Sequence, residues 1–276
     1  MKKWIALLLV LMLPVMLATG CKKNVNKLDE IKKNGKIVMA TSPDFAPSEF
    51  IDHTKSGQDQ YVGADIELGR YIAQELGVEL VIEPMDFDAC QAAVSTGKVD
   101  MSISGYAYTP DRAENMLLSD FYNIDPRPNT QGLLVLKENA AQYTKPEDFA
   151  GKTIAAQSGS LQYNLVTEQL PKDIKIEKIT KLNDAILMLT KGKVDAVAVA
   201  TDNGEAFISN YPELSMAECY FDWSGEGNVI CFTKGQDDLA AAINAIIKDV
   251  NEKDIYKVWE DDAKQLAKDL GIEIDE

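Results

Sequence analysis

Two polarity patterns alternate along the chain. Ile66, Leu68, Tyr71, Ile72 and Leu76 place apolar groups on one face of a predicted helix, and the run VELVIE after it reads as a strand. Gly77 stands between them and stops the helix. Leu161, Leu165, Val166 and Leu170 mark a second helix of this kind, which Pro171 ends. These stripes are core faces and give no sign of a cofactor.

The pattern repeats. TGKVDMSIS at 96–104 is nearly matched by KGKVDAVAV at 191–199, and NGKIVMATS from Asn34 by AGKTIAAQS from Ala150. The chain therefore contains two related α/β units. Each reads as a mostly parallel sheet flanked by helices. Between them NIDPRPNTQG, residues 123–132, reads as an extended crossover, because prolines restrict φ and disfavour helix. AECYFDWSGEGN looks like a second connection, and VICFTKGQDDLAAAINAIIKDV like one more strand and a long amphipathic helix. Since the first unit lacks a terminal strand, this tail is expected to return to it. The expected organisation is residues 1–20 as an export signal, 21–27 as a tether, 28–124 with 223–276 as one lobe, and 125–222 as the other.

Composition removes several function classes. A formal charge of −16 opposes partners held through phosphate contacts, so nucleic acid is not expected. The single histidine, His53, lies in a polar turn and is expected to be exposed; its isolation excludes multi-histidine metal sites and most histidine-activated nucleophiles. No cofactor or metal is expected, and the acidic run at 260–262 reads as a solvated face. The start, MKKWIALLLVLMLPVMLATG, has basic residues, an apolar run and small residues ahead of Cys21, as an export signal does. Of Cys90, Cys219 and Cys231, the last two are closest in sequence. One disulfide between them is the alternative, but buried free thiols are expected, because spacing alone cannot place their Cβ atoms.

Arginine is used sparingly: Arg70, Arg112 and Arg127 stand against 25 lysines (28 basic residues minus 3). Arg112 follows the end of the strand after GKVD, the edge of an open α/β sheet where ligands usually sit. A guanidinium offers two parallel donors matched to a carboxylate, where lysine offers a point charge. An exposed arginine early in the helix PDRAENM is the other reading.

The run YVGADIELGRYIAQELGVELVIEPMDFDACQAAVSTGKVDMSISGYAYTPDR, then LLSDFY, LKENAAQYTKPEDFAGKTIAAQSGSLQ, KGKVDAVAV and GNVICFTKGQDDLAAAINAIIKDV, resembles the family 3 extracellular solute-binding proteins of polar amino-acid ABC transporters. The resemblance spans Leu28 to Ala267. It implies a two-lobed, type II periplasmic-binding-protein-like fold that closes over one small ligand and delivers it to a permease. The usual ligand is an α-amino acid, and a monomer is expected. LATGC resembles the lipoprotein processing box, with Ala18 where leucine is usual; it implies lipidation at Cys21 and a place on the outer face of the cytoplasmic membrane.

For the site, the resemblance implies that Arg112 clamps the ligand carboxylate. The Gly105 carbonyl would face the ammonium and the Ala107 amide the carboxylate, where many relatives carry a hydroxyl residue in place of Ala107. Phe45 and Phe87 match ligand-stacking positions, and each could equally be core. Ser48 replaces an aromatic of the relatives. Gln157 and Ser160, at a helix start in the second lobe, would complete the anion site, with Ser160 as a simple cap the alternative. The relatives carry an acid where this chain has Ala200. Either Asp202 reaches the ligand through an altered turn or the ammonium anchor is missing. Two other functions stay open on this scaffold: a dehydratase of cyclic carboxylates, drawing its acid from Asp44, Asp202 or Glu205, and a sensor that lacks a permease.

Overall fold

The structure, a computed structural model, describes residues 26–124, 127 and 130–271. The expected signal, Cys21, and Pro126 and Pro128 of the first crossover lie outside the described residues.

The first lobe begins with α1 (Lys27–Asn34), β1 (Lys36–Thr41) and a short hairpin of β2 (Phe50–Ile51) and β3 (Tyr61–Val62). Next come α2 (Ala64–Leu76), β4 (Glu79–Pro84), α3 (Phe87–Ser95), β5 (Met101–Ser102), α4 (Pro110–Asn115) and β6 (Leu117–Leu118). Helix α2 ends as its sequence requires: Gly77 adopts φ 71°, and its N–H closes onto Ala73 and Gln74 carbonyls. Ile66, Leu68 and Ile72 are wholly buried, while Tyr71 and Leu76 pack at the margin of the same core. Each full burial of such a side chain contributes roughly 1.5–3 kcal/mol.

The second lobe holds β7 (Gln131–Leu136), β8 (Thr153–Gln157), α5 (Leu161–Gln169), β9 (Lys175–Ile179), α6 (Leu182–Thr190), β10 (Ala196–Ala200), α7 (Thr201–Asn210) and β11 (Leu214–Tyr220). The chain then returns to the first lobe through β12 (Cys231–Phe232), followed by α8 (Asp237–Glu252) and α9 (Ile255–Leu270).

The two sheets have corresponding orders, β4-β1-β5-β12-β6 and β9-β8-β10-β7-β11. In each, four strands run in one direction and the fourth in the order, β12 or β7, runs against them. The fourth strand of each sheet, β12 or β7, is the first strand after a crossover, so each lobe is completed by chain arriving from the other. The repeated Gly-Lys-Val-Asp has a structural use. Asp100 Oδ2 accepts the Val38 N–H at 2.8 Å, and Asp195 Oδ2 accepts the Thr153 N–H at 2.8 Å, each stitching its strand to its neighbour.

Leu239, Ile243, Ile247 and Val250 of α8 are buried in the first lobe's core. Helix α9 packs on α2 and α8 and also on α7 of the second lobe, with Ala263 and Ala267 buried beside Ala46, Phe50 and Val62. One expectation about α9 is corrected. Asp261 and Asp262 are exposed, but Glu260 is buried, because it faces inward between Lys257 and Lys264 at the edge of the cleft. Cys90, Cys219 and Cys231 are free and buried. Cys219 lies on β11 and Cys231 on β12, in different sheets, and burial pushes the Cys231 thiol up to about 12. His53 is exposed.

Candidate ligand-binding site

Between the lobes lies a cavity of ≈ 160 Å³, lined by both lobes and both crossovers. A cavity of roughly 150 Å³ holds a benzene-sized guest, so there is room for one small metabolite.

Helix α4 positions Arg112. Thr109 caps it, its Oγ1 accepting the Arg112 N–H at 3.2 Å, and Pro110 opens the first turn. The Arg112 side chain is buried, with its guanidinium 5.1 Å from the Tyr106 ring centroid and 6.0 Å from that of Phe87. It donates to the Ala107 carbonyl, to Gln91 Oε1 at 3.3 Å and to the Gly159 carbonyl at 3.3 Å. A guanidinium carries about five N–H donors, so two remain for a guest. Burial pulls its pKa down, yet an arginine stays charged. Among the described residues no carboxylate lies within ion-pair distance of it. An unpaired buried cation is costly, and an anion in the cleft would relieve that cost.

Gly105 and Ala107 lie in the connection between β5 and this helix, and both line the cavity. Gly105 has φ 56°, and its N–H donates to Asp65 Oδ2 at 2.7 Å. The carbonyl of Ala107 is taken by Arg112, and its N–H meets no acceptor among the described residues. Phe87 opens α3, lines the cleft and packs 5.0 Å from Tyr106, so it is both wall and core. Phe45 is half-buried, lies against Gly105, and also touches the second lobe's apolar cluster.

In the second lobe, Ser160 is buried at the cleft and caps α5, its Oγ accepting the Tyr163 N–H at 3.0 Å. The cap and the cleft wall are one residue. Gln157 lines the cleft too, but its amide donates to the Thr180 carbonyl at 2.9 Å and to Asp44 Oδ2 at 3.4 Å. Asp202, in the first turn of α7, reaches the cavity wall, where its two oxygens accept from Arg127 at 3.2 and 2.7 Å.

The lobes touch directly. Asp44 of the first lobe accepts the Leu182 N–H at the start of α6 at 2.7 Å, and Asn203 donates to the Ala46 carbonyl at 3.0 Å. Burial raises the Asp44 pKa, against the hydrogen bonds it accepts from Leu182 and Ser42. The three acids named for a catalytic reading are thus dispersed. Asp44 is bound into the lobe contact, Asp202 is paired with Arg127, and Glu205 is exposed.

Sequence reasoning passed over Arg127, Gln91, Asn203, Trp223 and Glu260, all in or beside the site. Scarcity of arginine was a usable signal for Arg127. Gln91 lies one helical turn after Phe87, on the same face.

Residues 37–262 match the family described as bacterial extracellular solute-binding proteins, family 3. The chain is 28% identical over 255 residues to an arginine-binding extracellular protein of Bacillus subtilis, covering 91% of this chain and 94% of that one. It is 29% identical to a probable histidine-binding protein of Campylobacter jejuni, covering 93% and 96%. Among solved structures, an amino acid ABC transporter substrate-binding protein from Streptococcus pneumoniae bound to L-arginine has a TM-score of 0.80 at 33% identity, covering 89% and 99%. An ancestral amino-acid-binding protein, a precursor of cyclohexadienyl dehydratase, has a TM-score of 0.74 at 27% identity, so likeness of fold does not separate transport from enzymatic relatives. None of the helices among the described residues is long and apolar enough to cross a membrane. From a profile match over most of its length, two lobes of matching strand order and an inter-lobe cleft, the chain belongs to the family 3 bacterial extracellular solute-binding proteins.

Proposed function

We propose that this chain is the substrate-binding lipoprotein of an ABC importer, anchored through Cys21 and capturing a small amino acid or related carboxylate for a permease. One observation carries the reading: Arg112 is a buried cation lining the cavity, with no counter-ion among the described residues and two N–H donors unused. The guest's carboxylate takes those donors together with the Ala107 amide. The first amides of α5, with Ser160 holding the helix start, face the same charge from the second lobe. Phe45 and Phe87 supply apolar walls, and the Gly105 carbonyl meets a donor of the guest.

A thermal-shift screen of amino acids and small carboxylates tests this reading. The wild-type protein is expected to rise in melting temperature with its ligand. Arg112→Ala should melt near the unliganded wild type and give no shift. An undiminished shift in that variant overturns the site. Lipidation is tested separately by metabolic labelling with a fatty acid, which Cys21→Ala should abolish.

A further inference from the structure

The cleft's second arginine bears on which guests it accepts. Among the described residues two acids line the cavity, Asp202 and Glu260, and each is already matched by cations of the protein. Asp202 holds Arg127 fork to fork, at 3.2 and 2.7 Å, with Lys264 a further 3.9 Å away. Glu260 has Lys264 at 3.3 Å and Lys257 at 3.7 Å. Arg112, by contrast, has no acid among the described residues.

We infer that Arg127 is a specificity determinant, which occupies Asp202 as a guest's cationic group would and so turns the pocket toward ligands without a cationic side chain. This rests on the binding function proposed above. A guanidinium brought by a guest would have to displace a guanidinium already seated in the bidentate geometry that suits a carboxylate. It would also add a positive charge to a wall whose acids are neutralised. A guest ending in a neutral group has no ion pair to break. The chain then differs in selectivity from relatives whose names record arginine.

L-Arginine and L-citrulline differ in one respect that matters, a charged guanidinium against a neutral urea of the same shape. Their affinities for wild type, Arg127→Ala and the double variant Arg127→Ala, Asp202→Asn can be measured by titration calorimetry. Wild type should bind L-citrulline at least as tightly as L-arginine. Arg127→Ala should shift the ratio toward L-arginine by about tenfold, the scale of one charge-assisted pair. The double variant should cancel that gain. A wild type that prefers L-arginine by tenfold, or a ratio unmoved in Arg127→Ala, overturns the inference. So does an Arg127→Ala protein that binds neither compound, since the freed acid has then made no cation site. The underlying binding function is judged separately, by whether Arg112→Ala abolishes the response to whichever carboxylate the wild type binds.

Discussion

A methyl group added at Gly105 would sit 2.8 Å from Phe45 Cε1, on a backbone at φ 56°. Both the strain and the ring's displacement fall on the cavity wall. Gly105→Ala is therefore expected to cost roughly 1–3 kcal/mol in unfolding free energy and to weaken ligand binding, as melting and calorimetry would show. Directly behind Gly105 lies a buried acidic pair. Asp65 accepts from Gly105 N–H, Tyr122 at 2.9 Å and Tyr256 at 2.7 Å, whereas Glu49 accepts from Ser104 at 2.6 Å and its second oxygen has no donor among the described residues. Desolvation first, and then the Asp65 charge, hold the Glu49 pKa well above its ordinary value. A carboxyl so placed holds its proton to higher pH than a free glutamate does. The folded state binds that proton more tightly than the unfolded chain, so this contribution to stability is full below the ordinary glutamate range, near 4.5, and declines as pH rises from there through the raised value. Glu49→Gln replaces the titrating carboxyl by a neutral amide. Denaturant unfolding between pH 5 and 8 should show stability falling less steeply in that variant than in wild type. A variant as steep as wild type would place the proton elsewhere.

At the scale of elements, α9 separates what the sequence discloses from what it conceals. Its period shows one apolar face, but not that the face meets α2 and α8 in one lobe and α7 in the other. Ala267→Glu would drive a charge into the seam beside Ala46, Phe50 and Ala206, and should cost on the order of 3 kcal/mol, measured by denaturant unfolding. An exposed control on the same helix, Lys268→Glu, should change stability by less than about 0.5 kcal/mol. The paired elements were legible for a different reason. Gly-Lys-Val-Asp occurs twice because its aspartate makes the same kind of strand-to-strand bond in each lobe, and a repeated local task leaves a repeated local signature. Arg112 was legible because its residue type, rarity and strand-end position all point to an anion. The pairing of Arg127 with Asp202 joins residues 75 apart, and Glu260 turns inward only because a whole helix crosses the cleft's edge. Neither leaves a pattern within a window of sequence.

For the molecule as a whole, the question is what holds two lobes together across a wet cleft. A carboxylate from one lobe accepting the first amide of a helix in the other is suited to this, because that amide has no partner within its own helix. Asp44 does this for α6, with Ser42 donating to its other oxygen at 2.8 Å and Gln157 reaching it from the second lobe. Opening would return all these groups to water, so the contact favours closure only by the modest difference between protein and water partners. Asp44→Ala leaves the Leu182 N–H without that acceptor in the closed form. A lost cap costs about 1 kcal/mol, which lowers ligand affinity roughly fivefold if binding requires closure. Asp44→Asn keeps an acceptor oxygen and should recover most of the affinity. Small-angle scattering should show the unliganded alanine variant more extended than the asparagine one. If both variants bind ligand as wild type does, then Asp44 contributes nothing to closure, and the grip of Arg112 on the guest is what draws the lobes together.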